Sequence, residues 1–340
     1  MKQSLEIYYP IVGDYNFEIY DFSQRSIIVE ELNSVLSKFK VLNEEWLVSY
    51  SIVAEIKPYD SKVNVQNTLR PYLQGLKEKS LKFSIEVDIV LDNYIVTLHS
   101  GDNITRIADQ RELLNHLPYS LTDIFGNHLF EIIILSQISR PGSLKIREGI
   151  VYINGHRFDQ VLPQIANVRE ELEVQQEINY PDIQYLNFGD YFNWIINNNL
   201  LFPDVCVNHY QKALVNLTYV FSEENRFSRF IFQMRILEMI YTSNTTQIAE
   251  QLNSTIQFYL GELTSFKKRL KQMYNVRSKF LHGKSGISPL HKSDYEIEEH
   301  QTFEQEFHEA STLSILLIIS TLQKMYIENR KKLNFKISLE

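Results

Sequence analysis

Apolar positions along this chain change their spacing about halfway. Up to about residue 175 they come in short, β-branched, partly alternating runs. "EWLVSYSIVAEI" (45–56) and "KFSIEVDIVLD" (82–92) predict strands. "NYIVTLHS" (93–100) follows the second closely and predicts a hairpin with it. "KIREGIVYINGHRF" (145–158) places the turn dipeptides Glu148-Gly149 and Asn154-Gly155 between apolar runs, a hairpin or meander. Helical patches interrupt this half at "SVLSKFKVL" (34–42) and "HLFEIIILSQI" (128–138), the second readable as helix or buried strand.

The polar stretch "QQEINYPDIQ" (175–184) ends the strand-rich region. Beyond it the period becomes that of helices. Five are predicted in succession: 189–199, 208–221, 225–243, 245–261 (with a threonine as N-cap) and 262–283. Gly283 suits the position just past a helix end, where a left-handed residue closes the last turn. A loop containing "GISP" leads to a last helix, about 296–330, with the apolar core "STLSILLIISTLQKMYI". The expected fold is α+β: a strand-rich mixed domain over 1–175, then an all-helical bundle over 185–340.

A chain of 340 residues with 44% hydrophobic content can fill two cores. Its single cysteine, Cys206, excludes an internal disulfide framework and a cysteine-based zinc site, and no basic neighbour activates it as a nucleophile. The start lacks an apolar signal core, and the runs "IIIL" (132–135) and "ILLIIS" (315–320) fall short of the roughly 20 residues of a membrane helix. A cytoplasmic protein without a membrane partner is therefore expected. The net charge of −8 argues against broad coating of nucleic acid. One segment departs from it: Lys267, Lys268, Arg269, Lys271, Arg277, Lys279 and Lys284 follow one another with no acid among them. Glutamates crowd the next stretch, at 296, 298, 299, 304, 306 and 309. A solvated helix face explains such a pattern as well as a binding patch does.

Within the basic segment, "YNVRSKFLHGK" (274–284) holds Arg277 and His282. An arginine followed by a nearby histidine is a weak pattern; "RELLNH" supplies a second match, Arg111 and His116, in the strand-rich half. Context favours the first pair, which ends a long helix in basic surroundings and is followed by a glycine. On a straight helix positions 277 and 282 stand about 140° apart, so they share no face. Each residue also has a structural role open to it. Arg277 can pair with the acidic last helix, and His282 can complement the helix dipole. Tyr274 can simply pack, and Glu238 can hold Arg277, hold a tyrosine hydroxyl, or stand exposed. There is no phosphate-binding glycine loop, no zincin motif and no nucleophile elbow. The histidines at 291, 300 and 308 lie among glutamates, and no metal site is assigned to them.

"LKQMYNVRSKFLHG" resembles the signature of the Apea-like branch of the HEPN superfamily, Y-x-x-R-S-x-x-x-H-G. "RFIFQMRILEMIY" resembles that family's long apolar third helix with an embedded glutamate, here Glu238. The resemblance covers about residues 185–335. It implies a homodimeric, metal-independent endoribonuclease needing no cofactor, with Arg277 on the phosphate and His282 as acid or base. Ser278, Tyr274 and Glu238 would support them, and Lys267, Lys268, Arg269, Lys271, Lys279 and Lys284 would contact RNA, tRNA being one substrate considered. Many active members carry Asn, Asp or His directly after the arginine, where this chain has Ser278; serine is common there in the Apea-like branch. The resemblance further implies a toxin-like or anti-phage defence role, with the strand-rich domain as sensor or specificity module for a protein trigger. The alternative is a non-catalytic dimerisation or ligand-binding bundle.

Overall fold

The computed structural model describes the chain apart from residues 1, 12–21, 39–46, 59–78, 91–94, 101, 108–109, 145, 147, 167, 202–205, 224, 243–245, 262–265, 285–297, 334 and 336–340. The chain forms two compact units. The first gathers residues 1–136, 143–167 and 187–189; the second gathers 137–142, 168–186 and 190–340.

In the first unit, alternating apolar runs become an antiparallel five-stranded sheet. Its strands are β1 (Lys2–Ile11), β2 (Leu47–Pro58), β3 (Lys79–Ile89), β6 (Gly149–Ile153) and β7 (His156–Leu162), in the order β2-β3-β1-β6-β7. Helix α1 (Phe22–Leu36) joins β1 to β2, and α2 (Gln110–Ser139) precedes β6. The β-α-β-β-α-β order around a central β1 is a split β-α-β arrangement. The register puts Leu5 opposite Ile85 and Ile153, and Ile7 opposite Phe83 and Val151, so the centre of one pleat face is apolar and buried. Both helices cover that face. Ile28, Leu32 and Val35 of α1 are buried, and Phe125 of α2 meets Tyr50 edge-on at 5.6 Å. Asn33 of α1 accepts from the Ala54 amide and donates to its carbonyl, both at 2.8 Å, giving backbone groups of β2 a side-chain partner. On the other face Lys82 pairs with Glu6 at 2.6 Å and stands 5.3 Å from the Tyr8 ring centroid.

Several expectations are corrected here. The described part of the 93–100 run does not pair with the strand before it. Residues Ile95–Ser100 (β4) pair with Asp102–Ile107 (β5) in a separate two-stranded hairpin. The 34–42 helix ends at Leu36 and begins earlier, and 128–138 is the end of a 30-residue helix. "RELLNH" opens that same helix rather than lying among strands; Pro118 is tolerated inside it, and the Thr122 hydroxyl donates to its carbonyl at 2.8 Å. The Asn154-Gly155 turn forms as expected, with φ of 50° and 79° in its two left-handed positions.

The second unit is helical: α3 (Arg169–Ile178), α4 (Phe188–Asn197), α5 (His209–Ser222), α6 (Arg226–Tyr241), α7 (Ile248–Leu260), α8 (Phe266–Leu281) and α9 (Glu298–Ile327). Helix α3 groups with this unit, where it packs on α9. Asn208 caps α5 in a reciprocal box with Gln211, and Asn225 caps α6. No threonine caps α7: it starts after Gln247, which sits in the left-handed region without a side-chain cap. Helix α9 packs against α3, α6 and α8. Residues 301–327 of α9 are long and apolar enough to cross a membrane by composition, but 78% of the 18-residue apolar window within them is buried within the protein. Its few polar side chains lock it in place. Ser314 donates to Gln233 at 2.7 Å, the hydroxyls of Thr321 and Tyr241 meet at 2.6 Å, and Gln323 donates to the carbonyls of Ile138 and Gln184 at 2.7 and 2.8 Å.

Candidate functional site

Helix α8 positions most of the predicted site. Leu270, Met273 and Val276 form its buried stripe. Arg277 follows directly on that stripe and is held half-buried at its edge. Its Nη2 lies 3.0 Å from Glu238 Oε1 on α6 and donates to Oε2 at 3.3 Å; the closer approach is off the hydrogen-bond direction. Burial pushes the Glu238 carboxyl above its ordinary value, and the Arg277 charge opposes this. The Arg277 guanidinium carbon stands 5.6 Å from the Tyr274 ring centroid. Arg277, Glu238 and Tyr274 thus form one cluster. The expected alternative, a pair between Arg277 and the acidic last helix, is not what forms. That helix takes other cations instead: Glu306 pairs with Lys279 at 3.1 Å, and Glu304 accepts from Arg226 at 2.6 Å.

His282 lies outside this cluster. It stands one residue past the end of α8, exposed, with its amide donating to the Ser278 carbonyl at 3.1 Å. Gly283 follows at φ 63°, its amide donating to Phe280 and that of Lys284 to Lys279, the paired closure of a glycine-terminated helix. The local sequence therefore fixes where the imidazole leaves the helix. Ser278 is half-buried. Lys267, Lys268, Arg269, Lys271, Lys279 and Lys284 are all exposed, so the acid-free run is a solvent-facing cationic surface. His116 is also exposed. Of the three clustered histidines, His291 lies outside the described residues and His308 is exposed; no group of three metal-ligating side chains occurs among the described residues.

Spacing gave no sign of two neighbouring features. Arg226 lies 5.0 Å from the Phe227 ring centroid, and Phe227 stacks on Phe280 of α8 at 5.3 Å, which ties the end of α8 to the start of α6. Arg229 is a second half-buried cation: its Nη2 is 3.9 Å from Glu171, and burial raises that carboxyl. The Phe227–Phe280 and Arg229–Glu171 pairs join residues distant in sequence. Comparison with protein-family models, with curated proteins and with solved structures finds no match to this chain.

Proposed function

We propose that this protein is a metal-independent endoribonuclease that works as a homodimer through its helical unit. The observation that carries this reading is the end of α8. An exposed imidazole stands five residues past a half-buried guanidinium, within an acid-free run of solvent-facing cations. RNA supplies its own nucleophile. The 2′-oxygen attacks the neighbouring phosphorus, the bond to the 5′-oxygen breaks, and a 2′,3′-cyclic phosphate and a 5′-hydroxyl result. One group must take the 2′-hydroxyl proton and another must give a proton to the departing oxygen. An imidazole ring nitrogen can take a proton or give one, which suits both tasks. Arg277 offers donors for the phosphate oxygens, where negative charge builds. A two-fold axis at this end of α8 brings a second His282, so that one copy takes the proton and its mate gives one. Leu281, beside the histidine and 48% exposed, supports a seam there. In this reading the protein is cytoplasmic, and RNA cleavage, of tRNA among other substrates, arrests growth in a toxin-like or anti-phage role. The strand-rich unit senses a protein trigger.

The test uses purified protein, total RNA and EDTA. Wild type is expected to yield fragments with 2′,3′-cyclic phosphate ends, and His282→Ala to be slower by about 100-fold or more. Equal inactivity of both removes the nuclease. A second reading is favoured by the Arg277–Glu238 pair, which engages the arginine inside the bundle. Under it the helical unit is a non-catalytic dimerisation or ligand-binding module. Induced expression of wild type would then leave growth unchanged, whereas a nuclease arrests it and Arg277→Ala relieves the arrest.

A further inference from the structure

The face of the five-stranded sheet away from α1 and α2 carries a chemistry of its own. Register places Glu55, Lys82 and Tyr8 in one row across it, from β2 through β3 to β1. The next row holds Glu6, Tyr152 and Arg157, from β1 through β6 to β7. This part of the face is open. Val53 is 54% exposed, Arg157 is exposed and both tyrosines are half-buried, whereas Ser80, beyond Lys82, is buried. Tyr8 and Tyr152 stand side by side, their ring centroids 5.5 Å apart and their planes at 76°.

Charge selects what such a face takes. Lys82 answers Glu6 at 2.6 Å, and Lys57 answers Glu55 at 3.2 Å. Arg157, the cross-strand partner of Tyr152, makes no ion pair among the described residues. The charge left over beside the tyrosines is therefore positive. Farther along the face Glu86 and Asp88 stand against Lys2, and the surplus there is negative. An anionic chain is drawn to the aromatic end and kept from the other. An aliphatic peptide leaves Arg157 unanswered, and an acidic one leaves the ring faces without a flat partner. A single RNA strand brings a phosphate with every base and a flat face for every ring. Rings set at a wide angle suit bases splayed apart rather than stacked inside a duplex, and open sheets with aromatic side chains bind single strands in this way.

We propose that this face binds single-stranded RNA, with one base on Tyr8, a neighbouring base on Tyr152 and a phosphate on Arg157. Glu6 accepts from the Tyr8 hydroxyl at 3.0 Å and so fixes that ring, while Lys82 neutralises the carboxylate. Binding here rests on the sheet alone. Delivery of the bound strand for cleavage rests on the nuclease reading above.

The test uses the full chain and a short fluorescent 2′-O-methyl RNA, which lacks the free 2′-hydroxyl that cleavage needs. Anisotropy is expected to show tighter binding of the single strand than of the same sequence as a duplex. Tyr152→Leu keeps apolar bulk and removes the aromatic face; it should weaken binding about tenfold, and Tyr152→Phe should bind as wild type does. Arg157→Gln should lower the slope of log affinity against log salt by about 0.7, the share of one phosphate. Ultraviolet cross-linking on wild type, which needs no variant to fold, should join the strand to peptides holding Tyr8 or Tyr152. Unchanged affinity in Tyr152→Leu, or cross-links confined to the helical unit, overturns the site. Absence of binding overturns it too and leaves the face to a protein. If the strand binds the sheet while wild type leaves RNA uncut, the nuclease fails and the site stands. If cleavage depends on His282 while Tyr152→Leu binds normally, the site alone fails.

Discussion

Arg277 has two demands on it, because the guanidinium assigned to phosphate is already paired with Glu238. A charge-assisted bond of this kind is worth about 1.5–3 kcal/mol. Glu238→Gln should lower unfolding stability by about that amount in urea titrations. His282→Ala should leave stability within about 0.5 kcal/mol of wild type, since an exposed side chain without buried contacts is replaced. Comparable losses in both variants would show that His282 is tied into the fold. Titration adds a further check. Burial raises the carboxyls of Glu171 and Glu238 above 4.5. A carboxyl so raised keeps its proton in the folded chain over a range where the unfolded chain has lost it. Stability therefore falls as pH rises through the window that starts at the unfolded value, and the cost is complete above the folded value. Glu171→Gln should flatten that decline in a pH series of urea midpoints. Parallel wild-type and variant curves would mean that Glu171 is not held above its ordinary value.

At the scale of elements, local chemistry fixed some boundaries and distant contacts fixed others. Periodicity placed helix starts at 208 and 225, where Asn208 and Asn225 turn out to be the caps, and Gly283 was legible as a helix end, because a cap is completed within a few residues of itself. Asn208→Ala should cost about 1 kcal/mol. Gly283→Val should cost about 1–2 kcal/mol through strain alone: no atom lies within 4 Å of an added Cβ, but φ is 63°. It should also unravel the last turn of α8, seen as faster amide exchange at Lys284 and Gly283's neighbours, and it should slow RNA cleavage with it. Elsewhere local reading failed. Alternation in 93–100 marked a strand correctly yet could not choose its partner, since every apolar strand offers the same edge. Helix α7 begins after Gln247, which sits in the left-handed region without a side-chain cap, and Gln251, packed at 7% exposure, donates its side-chain amide to the Thr246 carbonyl just before it.

At the scale of the molecule, each unit stands on its own core. Phe230 is fully buried in the helical unit and meets Phe307 of α9 edge-on at 5.2 Å. Phe230→Ala should therefore cost about 3–5 kcal/mol. Association is the sharper test of function. Sedimentation at micromolar concentration should find a dimer, and Leu281→Glu should dissociate it while leaving the far-ultraviolet helix signal intact. A monomeric wild type would leave the two imidazoles in separate molecules and remove the shared site.

The sequence alone determined the α+β class, most strand and helix positions and the cationic, acid-free face of α8, because periodicity, capping and charge are properties of neighbouring residues. It left open whether Glu238 held Arg277, a hydroxyl or nothing. Only the tertiary structure decided that, because residues 39 positions apart meet when α6 and α8 pack and bury them together. The meeting of Tyr8 with Tyr152 has the same origin: β1 and β6 pair across more than a hundred residues, a proximity no local pattern encodes.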